Sequence, residues 1–212
     1  MGSSAAIVVA AGGGTRFGSP KQFVELAGVR VVDRAVAGAR AACDAVIVVL
    51  PPGRAWDGPP VEAAVEGGAS RADSVRAGLA ALPPATDIVV VHDAARPLAS
   101  AALFEAVLGA VRGGADAAVP AIPVADTIKR VDGDRVTETL ARDGLVAVQT
   151  PQAFRVDALR AAHTGGGDAT DDAALVEAAG GTVVVVPGDA RNVKLTTAGD
   201  LAVVAALLTE CR

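Results

Sequence analysis

Along this chain, short unbroken apolar runs alternate with segments whose apolar positions recur every three or four residues. The runs at 7–9 (IVV), 45–50 (AVIVVL), 87–92 (DIVVVH), 116–120 (DAAVP) and 182–186 (TVVVV) are of the kind expected for strands buried on both faces. Shorter strands are expected at 61–66 and 144–149. Helical spacing covers 31–42, 72–82, 100–111, 156–163, 171–179 and 198–208. Ser70, Thr170 and Thr197 stand where a hydroxyl can cap the first turn of the helix that follows. Regular strand–helix alternation implies right-handed crossovers. The expected fold class is therefore α/β, a Rossmann-like, mostly parallel twisted sheet with helices on both faces.

One stretch departs from that rhythm. Residues 126–131 and 135–140 alternate polar and apolar positions about Asp132-Gly133-Asp134, which is a hairpin signal. A β-hairpin arm protruding over 126–141 is expected, and an isolated hairpin is too marginal to stand alone. A second copy of the chain is its natural support, making the arm a dimerisation element. Neither a repeat nor a linker divides the remainder, so residues 1–212 read as one domain.

Composition narrows the partners. The chain has 212 residues and a net charge of -5, which argues against a general nucleic-acid binder. Aromatics make up 2% with no Tyr, so base-stacking platforms are not expected. Cys43 and Cys211 show no metal or redox spacing and read as ordinary thiols in a reducing compartment. Without a leader-like or membrane-length apolar segment, the expected location is the cytoplasm.

The densest chemistry lies at the end of the first strand, in Ala10-Ala11-Gly12-Gly13-Gly14, followed by Arg16 and Lys21. A strand, a glycine turn and two cations make a cradle for phosphates. It is neither of the two common cradles. Phe17 stands where a dinucleotide fingerprint needs its third glycine, and Ser19 where a Walker loop needs its lysine. A turn that merely connects strand to helix is the plainer reading of the same residues.

In a parallel sheet the ligand crevice lies outside the carboxyl ends of the strands. The Gly12 loop, the Gly67-Gly68 turn and Asp93 are all expected at that edge. Asp93 reads as a Mg2+ ligand or as a cap for the next helix. Arg96, held in a turn by Pro97, reads as a phosphate fork or as the partner of a nearby acid. His92 reads as a core histidine, and His163 carries no assignment. Arg142, Thr150 and Lys194 each flank a strand end and can contact an anion; taken singly, each reads as surface.

Together these motifs resemble one family. AAGGGTRFGSPKQF, GGASRADSVRAGL, VHDAARPL, PVADTIKR, QTPQAF, TDDAALVEAAG and RNVKLTTAGDLAVVAALL occur in order from Ala5 to Leu208. They are similar to those of the 2-C-methyl-D-erythritol 4-phosphate cytidylyltransferases of the non-mevalonate isoprenoid pathway. The resemblance implies transfer of a cytidylyl group from CTP to the polyol phosphate, with pyrophosphate released and Mg2+ as cofactor. It implies Arg16, Lys21, Asp93 and Lys194 as catalytic residues, with Asp93 also at the metal. Ala10, Ala11, Gly12, Gly13, Gly14, Gly67, Gly68 and Ser74 would meet CTP. Arg96, Thr127, Arg142 and Thr150 would meet the polyol phosphate, some across a homodimer. A ribitol 5-phosphate cytidylyltransferase shares most of these motifs. A non-catalytic nucleotide-binding module would keep the glycines and lose the charged set.

Overall fold

The computed structural model describes residues 2–12, 20–164 and 171–209. The chain opens with β1 (Ser3–Val9), a 3-10 turn (Lys21–Phe23) and a small hairpin, β2 (Glu25–Leu26) and β3 (Val29–Arg30). Then come α1 (Val31–Arg40), β4 (Ala45–Leu50), β5 (Ala63–Glu66), α2 (Arg71–Ala80), β6 (Thr86–Asp93) and α3 (Ala101–Arg112). The middle holds β7 (Ala117–Pro123), β8 (Lys129–Asp132), β9 (Arg135–Thr139), β10 (Val146–Val148) and β11 (Gln152–Arg155). The last elements are α4 (Val156–Thr164), α5 (Asp172–Ala178), β12 (Val183–Pro187) and α6 (Gly199–Thr209).

The α/β expectation holds. The main sheet runs β10–β7–β11–β6–β1–β4–β5, with β12 also paired to β7. β1 is parallel to both β4 and β6, β4 to β5, and β7 to β12. β10 and β11 are antiparallel and lie end to end along the edge of β7 that β12 leaves open.

The apolar runs explain the layering. Successive side chains of β1 point to opposite faces. Ala6 and Val8 pack with Val36 of α1 and Phe104 and Leu108 of α3. Ala5 and Ile7 pack with Leu79 of α2, Leu159 of α4 and Val176 of α5. Each fully buried Val, Leu or Ile contributes about 1.5–3 kcal/mol, so a strand buried on both faces anchors two helical layers at once. A third cluster joins Leu26, Val31, Ala95, Leu195 and Val204, seating α6 against the turn that follows β6. Trp56 is a packing residue: it lies against the first of these clusters, its Nε1 donates to the Pro59 carbonyl and its ring lies under the Arg30 guanidinium.

Three local expectations change. β11 is an addition to the expected elements; its buried residues Gln152, Ala153 and Phe154 lie between β6 and β7, just after a cis Thr150–Pro151 bond. The cap of α5 is Asp171, whose carboxylate accepts the Ala174 N–H, while Thr170 lies outside the described residues. At α6 a carboxylate inside the helix does the capping: Asp200 accepts the N–H groups of Thr196 and Thr197. The hairpin is present as β8 and β9, paired only with each other and joined at Gly133, whose φ of 59° is the left-handed conformation a tight turn requires.

Candidate active site

β1, β4 and β6 run parallel, so their carboxyl ends meet at one edge of the sheet, and Ala10–Gly12, the Gly67 turn and Asp93 meet with them. Ala10 continues β1 by donating its N–H to the Val49 carbonyl at 2.8 Å, and Ala94 donates to Val9 at 3.1 Å. Gln22 fixes the loop from outside. Its buried amide donates to the Ala10 carbonyl at 2.6 Å and to the Gly12 carbonyl at 2.8 Å. Gly13, Gly14 and Arg16 lie outside the described residues. Lys21 sits half-buried beside α6, where its charge adds to the backbone N–H groups that hold the Asp200 carboxyl below its usual range.

The second turn must be glycine at Gly67. A Cβ there would lie 2.5 Å from the Ala11 Cβ and 2.7 Å from the Ser74 hydroxyl. Two backbone segments therefore approach as only Gly allows, with the Gly67 N–H donating to the Leu50 carbonyl at 2.8 Å. α2 starts immediately afterwards on a capping box between Ser70 and Asp73. The buried Ser74 hydroxyl donates to the Ser70 carbonyl at 3.0 Å.

The centre of the site is Asp93, the last residue of β6. Its Oδ2 is 2.6 Å from Lys194 Nζ and its Oδ1 is 3.6 Å from Arg71 Nε. Burial opposes the negative charge, but Lys194 and Arg71 outweigh it and bring the Asp93 pKa down to about 2. The backbone is held just as closely. The Asp93 N–H donates to the Thr150 hydroxyl at 3.0 Å, and that hydroxyl is 3.2 Å from His92 Nδ1. His92 Nε2 is 3.2 Å from the Arg96 carbonyl, which can only accept, so Nε2 carries the proton and Nδ1 receives the Thr150 O–H. Burial lowers the His92 pKa to about 4, so this imidazole is neutral near pH 7. His92 is thus the core histidine expected from sequence, with the added task of orienting Thr150.

Lys194 reaches Asp93 because its own segment is tied to the turn after β6. Leu195 N–H donates to the Ala95 carbonyl at 2.9 Å, and Arg96 Nη1 donates to the Asn192 carbonyl at 2.6 Å. Asn192, fully buried, donates to the Thr150 carbonyl at 2.8 Å, closing the circle. Arg96 has taken neither an acid partner nor a full set of bonds: its buried Nε has no hydrogen-bond partner. An unpartnered buried guanidinium N–H is an opening for an anion.

The geometry therefore assembles Ala10, Ala11, Gly12, Gly67, Gly68, Ser74, Asp93, Arg96, Thr150 and Lys194 along one edge. Thr127 and Arg142 are elsewhere. They flank the arm and are exposed, with the Arg142 guanidinium donating to the Ala125 carbonyl. Gln22, Arg71 and Asn192 are not singled out by the sequence. The partners of Arg71 and Asn192 are distant in the chain, and the sole hint is that Gln22 and Asn192 are amides inside otherwise recognisable motifs.

The model of the IspD family, 2-C-methyl-D-erythritol 4-phosphate cytidylyltransferase, matches residues 4–210. A 2-C-methyl-D-erythritol 4-phosphate cytidylyltransferase from Nocardia farcinica is 48% identical over 218 residues, covering 98% of this chain and 94% of the relative. The crystal structure of the enzyme of that name from Thermus thermophilus has a TM-score of 0.84 at 38% identity, covering 99% of this chain and 100% of the other. The chain spans about half of a second kind of relative. The bifunctional enzyme IspD/IspF of Granulibacter bethesdensis is 46% identical, and the match covers 93% of this chain but 54% of that protein. The fold, the order of the motifs and these likenesses agree: the chain belongs to the 2-C-methyl-D-erythritol 4-phosphate cytidylyltransferase family.

Proposed function

We propose that this chain transfers the cytidylyl group of CTP to 2-C-methyl-D-erythritol 4-phosphate, giving the CDP-linked alcohol and pyrophosphate, as a cytoplasmic homodimer. The observation that carries the reading is the Asp93–Lys194 pair, 2.6 Å apart at the mouth of the glycine turns, with the unpartnered Arg96 N–H in the same turn.

The chemistry suits these residue types. An ionised oxygen of the polyol phosphate forms a bond to the α-phosphorus of CTP. The bond from that phosphorus to the bridging oxygen breaks, and its electron pair leaves on pyrophosphate. No proton has to be removed, so no general base is needed. The nearby imidazole, His92, is neutral and engaged at both nitrogens. The remaining demand is to bring two polyanions together and to stabilise charge at the α-phosphorus. Lys194, Lys21 and Arg16 supply cations for that purpose, and the backbone at Ala10–Gly14 and Gly67–Gly68 receives the nucleotide. Arg96 binds the polyol phosphate. Thr150, whose hydroxyl is already committed between Asp93 and His92, positions the turn as much as it contacts substrate.

A hard divalent cation such as Mg2+ fits Asp93. The carboxylate is ionised, and among the described residues no group of three or more His, Cys, Asp or Glu could hold a metal by itself. That donor set suits a cation that takes most of its ligands from phosphates and water. Such a cation neutralises part of the triphosphate charge when bound. The homodimer draws support from exposed apolar side chains on and beside the arm, namely Val131, Val136, Leu145, Val146 and Val148. It would let Thr127 and Arg142 serve a partner's site. Among the described residues no helix is long and apolar enough to cross a membrane.

The test is pyrophosphate release from CTP and Mg2+ with methylerythritol phosphate or ribitol 5-phosphate in parallel. Release with the first alone is expected. Release with ribitol 5-phosphate alone overturns the substrate, and silence with both overturns the reading.

A further inference from the structure

A line of charged groups runs from the reacting edge into the layer formed by α2, α4 and α5. Beyond Lys194 and Asp93 it continues through Arg71, whose Nη1 lies 2.6 Å from Asp172 Oδ2. Asp172 Oδ1 is in turn 3.0 Å from His163 Nε2. Asp172 is 1% exposed and His163 6%. In this contact the carboxylate only accepts, so Nε2 is the donor. A carboxylate so deeply buried is tolerable only with its oxygens satisfied from fixed directions, and Arg71 and His163 each donate to one of them.

The arrangement divides one guanidinium between two acids. Burial opposes the Arg71 charge, but Asp172 and then Asp93 more than offset it, holding its pKa above the ordinary value. The division is unequal: 2.6 Å to Asp172 and 3.6 Å to Asp93. Freed from Asp172, Arg71 would have a fork of donors available for Asp93, and a two-toothed arginine–carboxylate pair is the strongest contact open to it. Asp93 would then be drawn from Lys194.

We propose that His163 and Asp172 are positioning residues, which hold Arg71 back so that Asp93 stays shared with Lys194 and open to the reacting groups. This rests on the cytidylyl-transfer reading above. Neither residue touches substrate. His163 locks Asp172 and Asp172 locks Arg71.

The test compares His163→Leu, His163→Gln and Asp172→Asn with the parent protein. Two readouts are taken: steady-state kinetics per folded molecule, and the rate at which acetic anhydride acetylates Lys194, followed by mass spectrometry. Gln keeps an N–H donor near the place of Nε2, whereas Leu fills the space without one. In His163→Leu and Asp172→Asn, kcat should fall about tenfold or more with the KM for CTP within about twofold. Lys194, released from Asp93, should acetylate several times faster. His163→Gln should stay near the parent in both readouts. A role in stability alone would lower the melting temperature and leave both readouts unmoved, which overturns the proposal. Equal impairment of the Leu and Gln variants overturns it too. If His163→Leu does not fold, Asp172→Asn carries the same comparison. Should the parent protein release no pyrophosphate while the Lys194 labelling still responds, the network stands and the functional reading falls.

Discussion

The carboxyl edge of the sheet and the hairpin arm are built on opposite plans. At the edge the supporting groups among the described residues are held by this chain itself: His92, Gln22 and Asn192 are buried, and each is tied to backbone or to a neighbouring side chain. In the arm all nine residues of β8 and β9 are exposed, and their backbone pairs only within the hairpin. The difference separates two tasks. Phosphoryl-type transfer needs charges fixed in advance, because reorganising them during the reaction raises the barrier. Association, the task proposed above for the arm, would need surface that the lone chain leaves uncovered, and Val131 at 57% exposure and Val136 at 53% offer it.

The comparison breaks most sharply at its centre. Lys194→Met should cut kcat by about a hundredfold or more, while circular dichroism shows the fold kept. Pyrophosphate release near the parent rate would show that the fixed charge at the edge is dispensable. A smaller effect is expected one step out. Gln22→Ala removes the amide that ties Ala10 to Gly12, and should raise the KM for CTP about tenfold with less change in kcat. Titration of CTP into the variant by calorimetry checks this directly.

The arm should respond in mass before it responds in rate. Val131→Asp with Val136→Asp should convert a dimer to monomers by light scattering, with a melting temperature nearly unchanged, since exposed substitutions cost about 0.5 kcal/mol or less within one chain. An unaltered mass would give the arm another purpose.

The smallest effect concerns stability alone. His92 has a pKa of about 4 when folded, against an ordinary value of 6.5. Between those values the unfolded chain binds a proton that the folded chain refuses, so stability should fall as pH drops from 6.5 to about 4 and then level off. The loss is about 3 kcal/mol at most. Asp93, whose pKa lies at about 2, adds its own loss only at lower pH. Urea unfolding across this range should show the slope, and His92→Gln should flatten it.

These two regions are also unequally legible in the sequence. The buried strands of the sheet announce themselves because both faces are covered, so their apolar runs are unbroken. The arm announces itself by alternation about Asp132-Gly133-Asp134. β11 stays hidden because four residues squeezed between Pro151 and a helix carry no period of their own; their burial comes from β6 and β7 on either side. The site is legible where a motif concentrates chemistry locally, as at Asp93 and Lys194. It is not legible where one residue is completed by another far along the chain. Arg71 and Asp172 are separated by 101 positions, and no local spacing rule connects them. His163 looks idle for the same reason, since its partner belongs to the next helix.

The pairing of Asp93 with Lys194 has a consequence in time as well as in space. The two residues lie in distant parts of the chain, and synthesis delivers them in order. At roughly 5–20 residues per second, Asp93 leaves the point of peptide bond formation some 5–20 s before Lys194 does. During that interval Asp93 exists without Lys194, and Arg71 is the cation beside it. The pair that holds the acid at this edge is therefore completed only once both halves of the sheet have been made.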